Sequence, residues 1–111
     1  MTSDDLGSHQ LHADWLRGRV TDSGLTDRDL RLGALARGAG ERGIPEPYDS
    51  FARQVGEDSS RVTDAQVKAV RAATGSEKAA FELILTAAIG AGLRRWDAAE
   101  RAIEGAGDAA P

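Results

Sequence analysis

Few residues in this chain have both the type and the spacing to do chemistry. His9 and His12 stand three apart, which places both imidazoles on one face of a helix, with Asp14 close by in sequence. No E-x-x-H or H-E-x-x-H pattern accompanies them, so a solvated pair is the simpler reading and no metal is assigned. Glu82 lies inside the most apolar stretch, Ala79 to Leu93. Desolvation there raises a carboxyl pKa and makes a general acid or base. Thr86 follows Glu82 by one turn, so the two also read as the polar stripe of one helix, or Glu82 as half of a buried ion pair with an Arg. Arg94, Arg95, Trp96 and Asp97 form a third cluster. Arginine beside an aromatic can hold an anion or stack. It can equally offset the negative end of a helix, with Trp96 as a core or interface anchor. Cysteine is absent, which removes disulfides, thiolate nucleophiles and zinc or iron–sulfur ligation by sulfur. None of these residues implies a cofactor.

The elements that must position them come from a lean composition. Of 111 residues 41% are hydrophobic, but 20 of these are Ala. Leu, Ile, Val and Phe together number 21, at the edge of what a packed domain needs, so close helix packing must substitute for bulk. The length suits one domain over 1–111, with 1–8 and 105–111 expected as tails. Acidic residues outnumber basic ones 18 to 14, and the 12 Arg and two Lys are interspersed with acids, which argues against nucleic acid as a partner. No 18-residue apolar run suggests a membrane span. Met1 to Asp5 is polar and acidic, unlike a secretory signal, so a cytoplasmic location is expected.

The periodicity predicts an all-α fold of about five helices and no strand. The first covers residues 9–20 with Leu11, Trp15, Leu16 and Val20. The second starts with Thr26 as N-cap and fades near Gly38. Residues 38–47 form a loop closed by Pro45 and Pro47. Tyr48, Phe51, Ala52 and Val55 then make one amphipathic stripe. Thr63 to Gln66 is a capping box, and Gly75 suits a left-handed stop. Ser76 caps a long Ala-rich helix over residues 77–104, apolar on nearly all sides and therefore expected to be buried. Thr86–Gly90, Ala87–Ala91 and Ala88–Gly92 set small residues four apart, a spacing that lets another helix approach closely. Unbroken, its 28 residues span about 42 Å, against about 26 Å for a compact domain of this size. Such a helix protrudes, breaks near residues 90–96, or docks on a partner. Trp15, Tyr48, Phe51 and Phe81 are expected as core or interface anchors.

Arg61 to Val67, Arg71 to Gly75, Phe81-Glu82-Leu83 and Ala87 to Arg95 together resemble the C-terminal helices of the carboxymuconolactone decarboxylase and alkylhydroperoxidase AhpD-like superfamily. A weaker likeness covers Gly24 to Arg37. The resemblance implies an all-helical fold that assembles as a homo-oligomer. The redox-active members carry C-x-x-C followed by His, with a Glu one helix upstream. Here Ala39 to Val55 holds no Cys or His, and Asp27 to Arg37 holds no Glu. Thiol peroxidase or disulfide reductase chemistry is therefore excluded.

Three functions follow as expectations. The first is a cysteine-free AhpD-like protein acting without catalysis, as a homo-oligomer or as accessory subunit of a catalytic paralogue, with Phe81, Gly90, Arg94, Arg95 and Trp96 as ligand or interface residues. The second is a non-redox acid/base enzyme of the decarboxylase type on a small lactone or keto acid, with Glu82 as catalytic base. The third is a small DNA-binding regulator, which the apolar Ala79 to Leu93 helix disfavours because a recognition helix needs polar side chains.

Overall fold

A computed structural model describes the backbone of residues 3–109 and the side chains of residues 10–106. The described residues are helical without a strand. The helices are α1 (Ser3–Asp22), α2 (Arg28–Gly38), α3 (Tyr48–Asp58), α4 (Asp64–Thr74) and α5 (Glu77–Ala109), with a single 3-10 turn at Ser59–Arg61. The helical backbone includes residues 3–8 and 105–109.

The starts and stops follow local chemistry. Asp27, not Thr26, caps α2, accepting a hydrogen bond from the Asp29 N–H at 3.2 Å. Thr26 is left one residue outside the helix, which frees its hydroxyl for another partner. Thr63 and Gln66 form the reciprocal capping box expected of α4, with bonds of 3.2 and 2.9 Å. Gly75 ends α4 at φ 86°, a conformation glycine adopts without a Cβ penalty. The Ser76 hydroxyl accepts from the Ala79 N–H at 3.1 Å and starts α5.

The core lies where α2, α3 and α5 meet, with α1 and α4 flanking them. Phe51, Ala52 and Val55 present the predicted α3 stripe to Ala34, Ala80, Leu83 and Ala87, and α4 adds Val70. Small residues set the spacing. A Cβ at Gly90 would collide with the Leu35 carbonyl oxygen, so α2 and α5 approach backbone to backbone there. That packing offsets the low helix propensity of Gly90, and α5 runs through residues 90–96 without a break.

Its 33 residues extend about 50 Å, close to the 55 Å long axis of the molecule. The radius of gyration is 15.8 Å, above the roughly 13 Å of a compact chain of this length, so α5 protrudes. Nor is α5 buried on all sides. Ala79, Ala80, Leu83, Thr86, Ala87, Ala91 and Leu93 face inward, while Phe81 is 63% and Leu85 47% exposed. Of the aromatic anchors only Phe51 is fully buried; Trp15 is 66% exposed and Tyr48 half-buried. No described helix is long and apolar enough to cross a membrane.

Candidate functional site

Glu82 leaves the inner face of α5 toward the segment that joins α1 to α2. Its carboxylate accepts from the Leu25 N–H at 2.8 Å, the Thr26 N–H at 2.7 Å and the Thr26 hydroxyl at 2.6 Å. These are short, charge-assisted bonds. Gly24 makes room for them, since a Cβ there would collide with a Glu82 carboxylate oxygen. Arg31, buried at 4% exposure, approaches the same segment from α2. Its guanidinium donates to the Thr21 carbonyl at 3.0 Å, the Val20 carbonyl at 3.2 Å and the Thr26 carbonyl. Arg31 thereby satisfies carbonyls that the end of α1 leaves open.

Burial pushes the Glu82 carboxyl up, but the Thr26 hydroxyl, the Thr26 and Leu25 N–H groups and the Arg31 charge outweigh it and hold its pKa below the ordinary value. The expected upward shift is thus reversed, because donors supplied by the α1–α2 segment accompany the desolvation. A carboxylate held as the anion, with both oxygens engaged, is poorly suited to carry a proton at neutral pH. The contacts give Glu82 the work of fastening the α1–α2 segment to α5.

Arg94 and Arg95 diverge. Arg95 donates to the Gly56 carbonyl at 3.0 Å and ties α5 to the end of α3. Arg94 lies over Gly40, which has φ 84°, and borders a cleft of about 600 Å³ between α1, α2 and α5. Leu32, Leu35 and Leu93 line that cleft together with Arg17, Arg42 and Arg101. Nothing in the sequence marks these three arginines, because isolated arginines along a helix, near a loop or at a helix end resemble any solvated surface.

The outward side of α5 carries a second feature. Phe81, Leu85, Ala88, Gly92, Ala99 and Ile103 are all exposed, with half-buried Trp96 in the same row. At about 100° per residue these positions fall on a single line along the helix. The three exposed large hydrophobics of α5, Phe81, Leu85 and Ile103 at 63, 47 and 44%, all lie on it. Gly90, by contrast, is turned into the core against Leu35. His12 is exposed, and the His9 side chain lies outside the described residues. Among the described residues no group of three or more His, Cys, Asp or Glu is arranged to hold a metal ion. Comparison with protein-family models, curated proteins and solved structures finds no match to this chain.

Proposed function

We propose that this chain works without catalysis, as a cysteine-free AhpD-like helical protein that pairs with a second copy of itself through the outward face of α5. The observation that carries the reading is Gly92. A Cβ added there meets nothing within 4 Å, so nothing in the protomer requires a glycine. A glycine in mid-helix nonetheless costs about 1 kcal/mol relative to Ala. It stands at the centre of the exposed row, where the absent side chain lets another backbone approach.

The row is also self-complementary. Two α5 helices crossing antiparallel at Gly92 set Ala88 against Trp96, Leu85 against Ala99 and Phe81 against Ile103, each pair made twice. Large side chains meet small or apolar ones throughout, as a two-fold interface requires. The contact would run about 33 Å, from residue 81 to 103. One helix face of that length falls at the small end of specific interfaces, which bury about 800 Å² per partner, so association at micromolar protein is expected.

Size-exclusion chromatography with light scattering tests the proposal. A mass of twice 11.7 kDa at micromolar protein is expected, falling to the monomer in Leu85→Glu. A folded monomer at every accessible concentration would overturn it, and so would a larger mass that Leu85→Glu leaves unchanged.

A further inference from the structure

We infer that the cleft between α1, α2 and α5 is a binding site for an organic oxyanion, a carboxylate or phosphate monoester, that carries a short apolar chain. The cleft is lined by residues such as Gly90, Leu93, Arg94, Asp97 and Arg101 of α5. On average these lie roughly 160° around the helix from the Gly92 row, so the site and the pairing face are separate surfaces.

Charge is the first argument. The chain carries a net charge of −4, yet four arginines converge on this cleft against Glu41 and Asp97. Arg17 is occupied, pairing with Asp14 at 3.0 Å and Asp97 at 3.9 Å. Arg42, Arg94 and Arg101 form no ion pair among the described residues. Three guanidinium groups therefore face one remaining carboxylate, that of Glu41. Guanidinium is the side-chain group best matched to oxyanions, through paired N–H donors.

Shape is the second. A volume of about 600 Å³ falls within the range of small-molecule sites. Leu32, Leu35, Ala36 and Leu93 supply an apolar wall beside the charges. A small inorganic anion would leave that wall unused, and a neutral apolar molecule would leave the guanidinium groups unmatched. Gly40 fixes one end: a Cβ there would sit 2.5 Å from Arg94 Nη1, so the missing side chain lets the guanidinium rest against the loop after α2.

Calorimetric titration with hexyl phosphate, hexanoate, inorganic phosphate and hexanol, with amide NMR shifts to locate each, tests the site. Hexyl phosphate or hexanoate should bind saturably at one site, shifting Gly40, Leu93 and Arg94, and more tightly than inorganic phosphate or hexanol. Arg94→Gln and Arg42→Gln should each weaken binding about tenfold, the scale of one charge-assisted contact. Arg28→Gln, which removes a side chain paired with Asp22 at 3.9 Å outside the cleft, should leave it unchanged. Equal binding by inorganic phosphate would overturn the apolar part of the assignment. Shifts centred on Phe81 and Leu85, the same loss in Arg28→Gln, no loss in either cleft variant, or no saturable binding would overturn the site itself.

Discussion

The Glu82 carboxylate grips Thr26 twice, at 2.7 Å from its N–H and 2.6 Å from its hydroxyl, across 56 residues of chain. The pair joins the segment just before α2 to the second turn of α5, and the adjoining Leu25 N–H bond at 2.8 Å shares the load. Removing the carboxylate strands these donors beside the Arg31 charge. Glu82→Ala should therefore lose about 1–3 kcal/mol of stability, read as a lower urea midpoint with unchanged m-value. An unchanged midpoint would show that the segment is held by other contacts.

Acid should weaken the same joint. Glu82 titrates below its ordinary value of 4.5 when folded, so the unfolded chain binds its proton more readily. The stability it adds is fully present above about pH 4.5 and fades as pH falls through the folded value. Asp49 shifts in the same direction, through the Ile44 N–H and, against some desolvation, Arg37. Urea midpoints measured from pH 6 down to pH 3 should fall, and Glu82→Gln and Asp49→Asn should each flatten that fall. A slope unaffected by both would place the acid-sensitive groups elsewhere.

Arg31 closes the end of α1 from inside the protein. Arg31→Met keeps much of the apolar stem but leaves the Val20, Thr21 and Thr26 carbonyls without their donors. A loss of about 2–3 kcal/mol is expected, with faster hydrogen exchange in α1 than in α3. Uniform acceleration across all helices would contradict a local role.

Gly90 and Gly92 should respond oppositely to alanine. Gly90→Ala drives a methyl group into the Leu35 carbonyl and should destabilise the fold by about 1–3 kcal/mol. Gly92→Ala meets open space within the protomer and should gain up to about 1 kcal/mol there. Thermal unfolding at sub-micromolar protein, below the range expected for the proposed pairing, separates the two effects.

Much of this fold is legible in the sequence. The Thr63–Gln66 box, the Gly75 stop, the Ser76 start and the Phe51 stripe are local signals, set by residues within one turn of each other. The joint was not legible. Thr26 reads as an ordinary cap until Glu82 claims its hydroxyl, and Arg31 reads as a surface residue until α1 folds over it. Both depend on contacts between residues far apart in the chain, which no short window contains. The small-residue spacing on α5 was legible but served two ends. Gly90 and Ala87 pack within the protomer, while Ala88 and Gly92 face out, and only the position of α2 decides which is which.

The pairing register can be read with introduced thiols, because the chain has no cysteine of its own. An antiparallel crossing at Gly92 sets Leu85 of one copy against Ala99 of the other, so thiols at these two positions come within reach of the Cα separation of about 4.4–6.8 Å that a disulfide needs. Leu85 lies about 21 Å from its own counterpart in the same arrangement. Under mild oxidation at micromolar protein, a mixture of Leu85→Cys and Ala99→Cys chains should convert rapidly to a covalent dimer while Leu85→Cys alone stays reduced. Equal or absent cross-linking in the two samples, or faster cross-linking of Leu85→Cys alone, would contradict the proposed pairing.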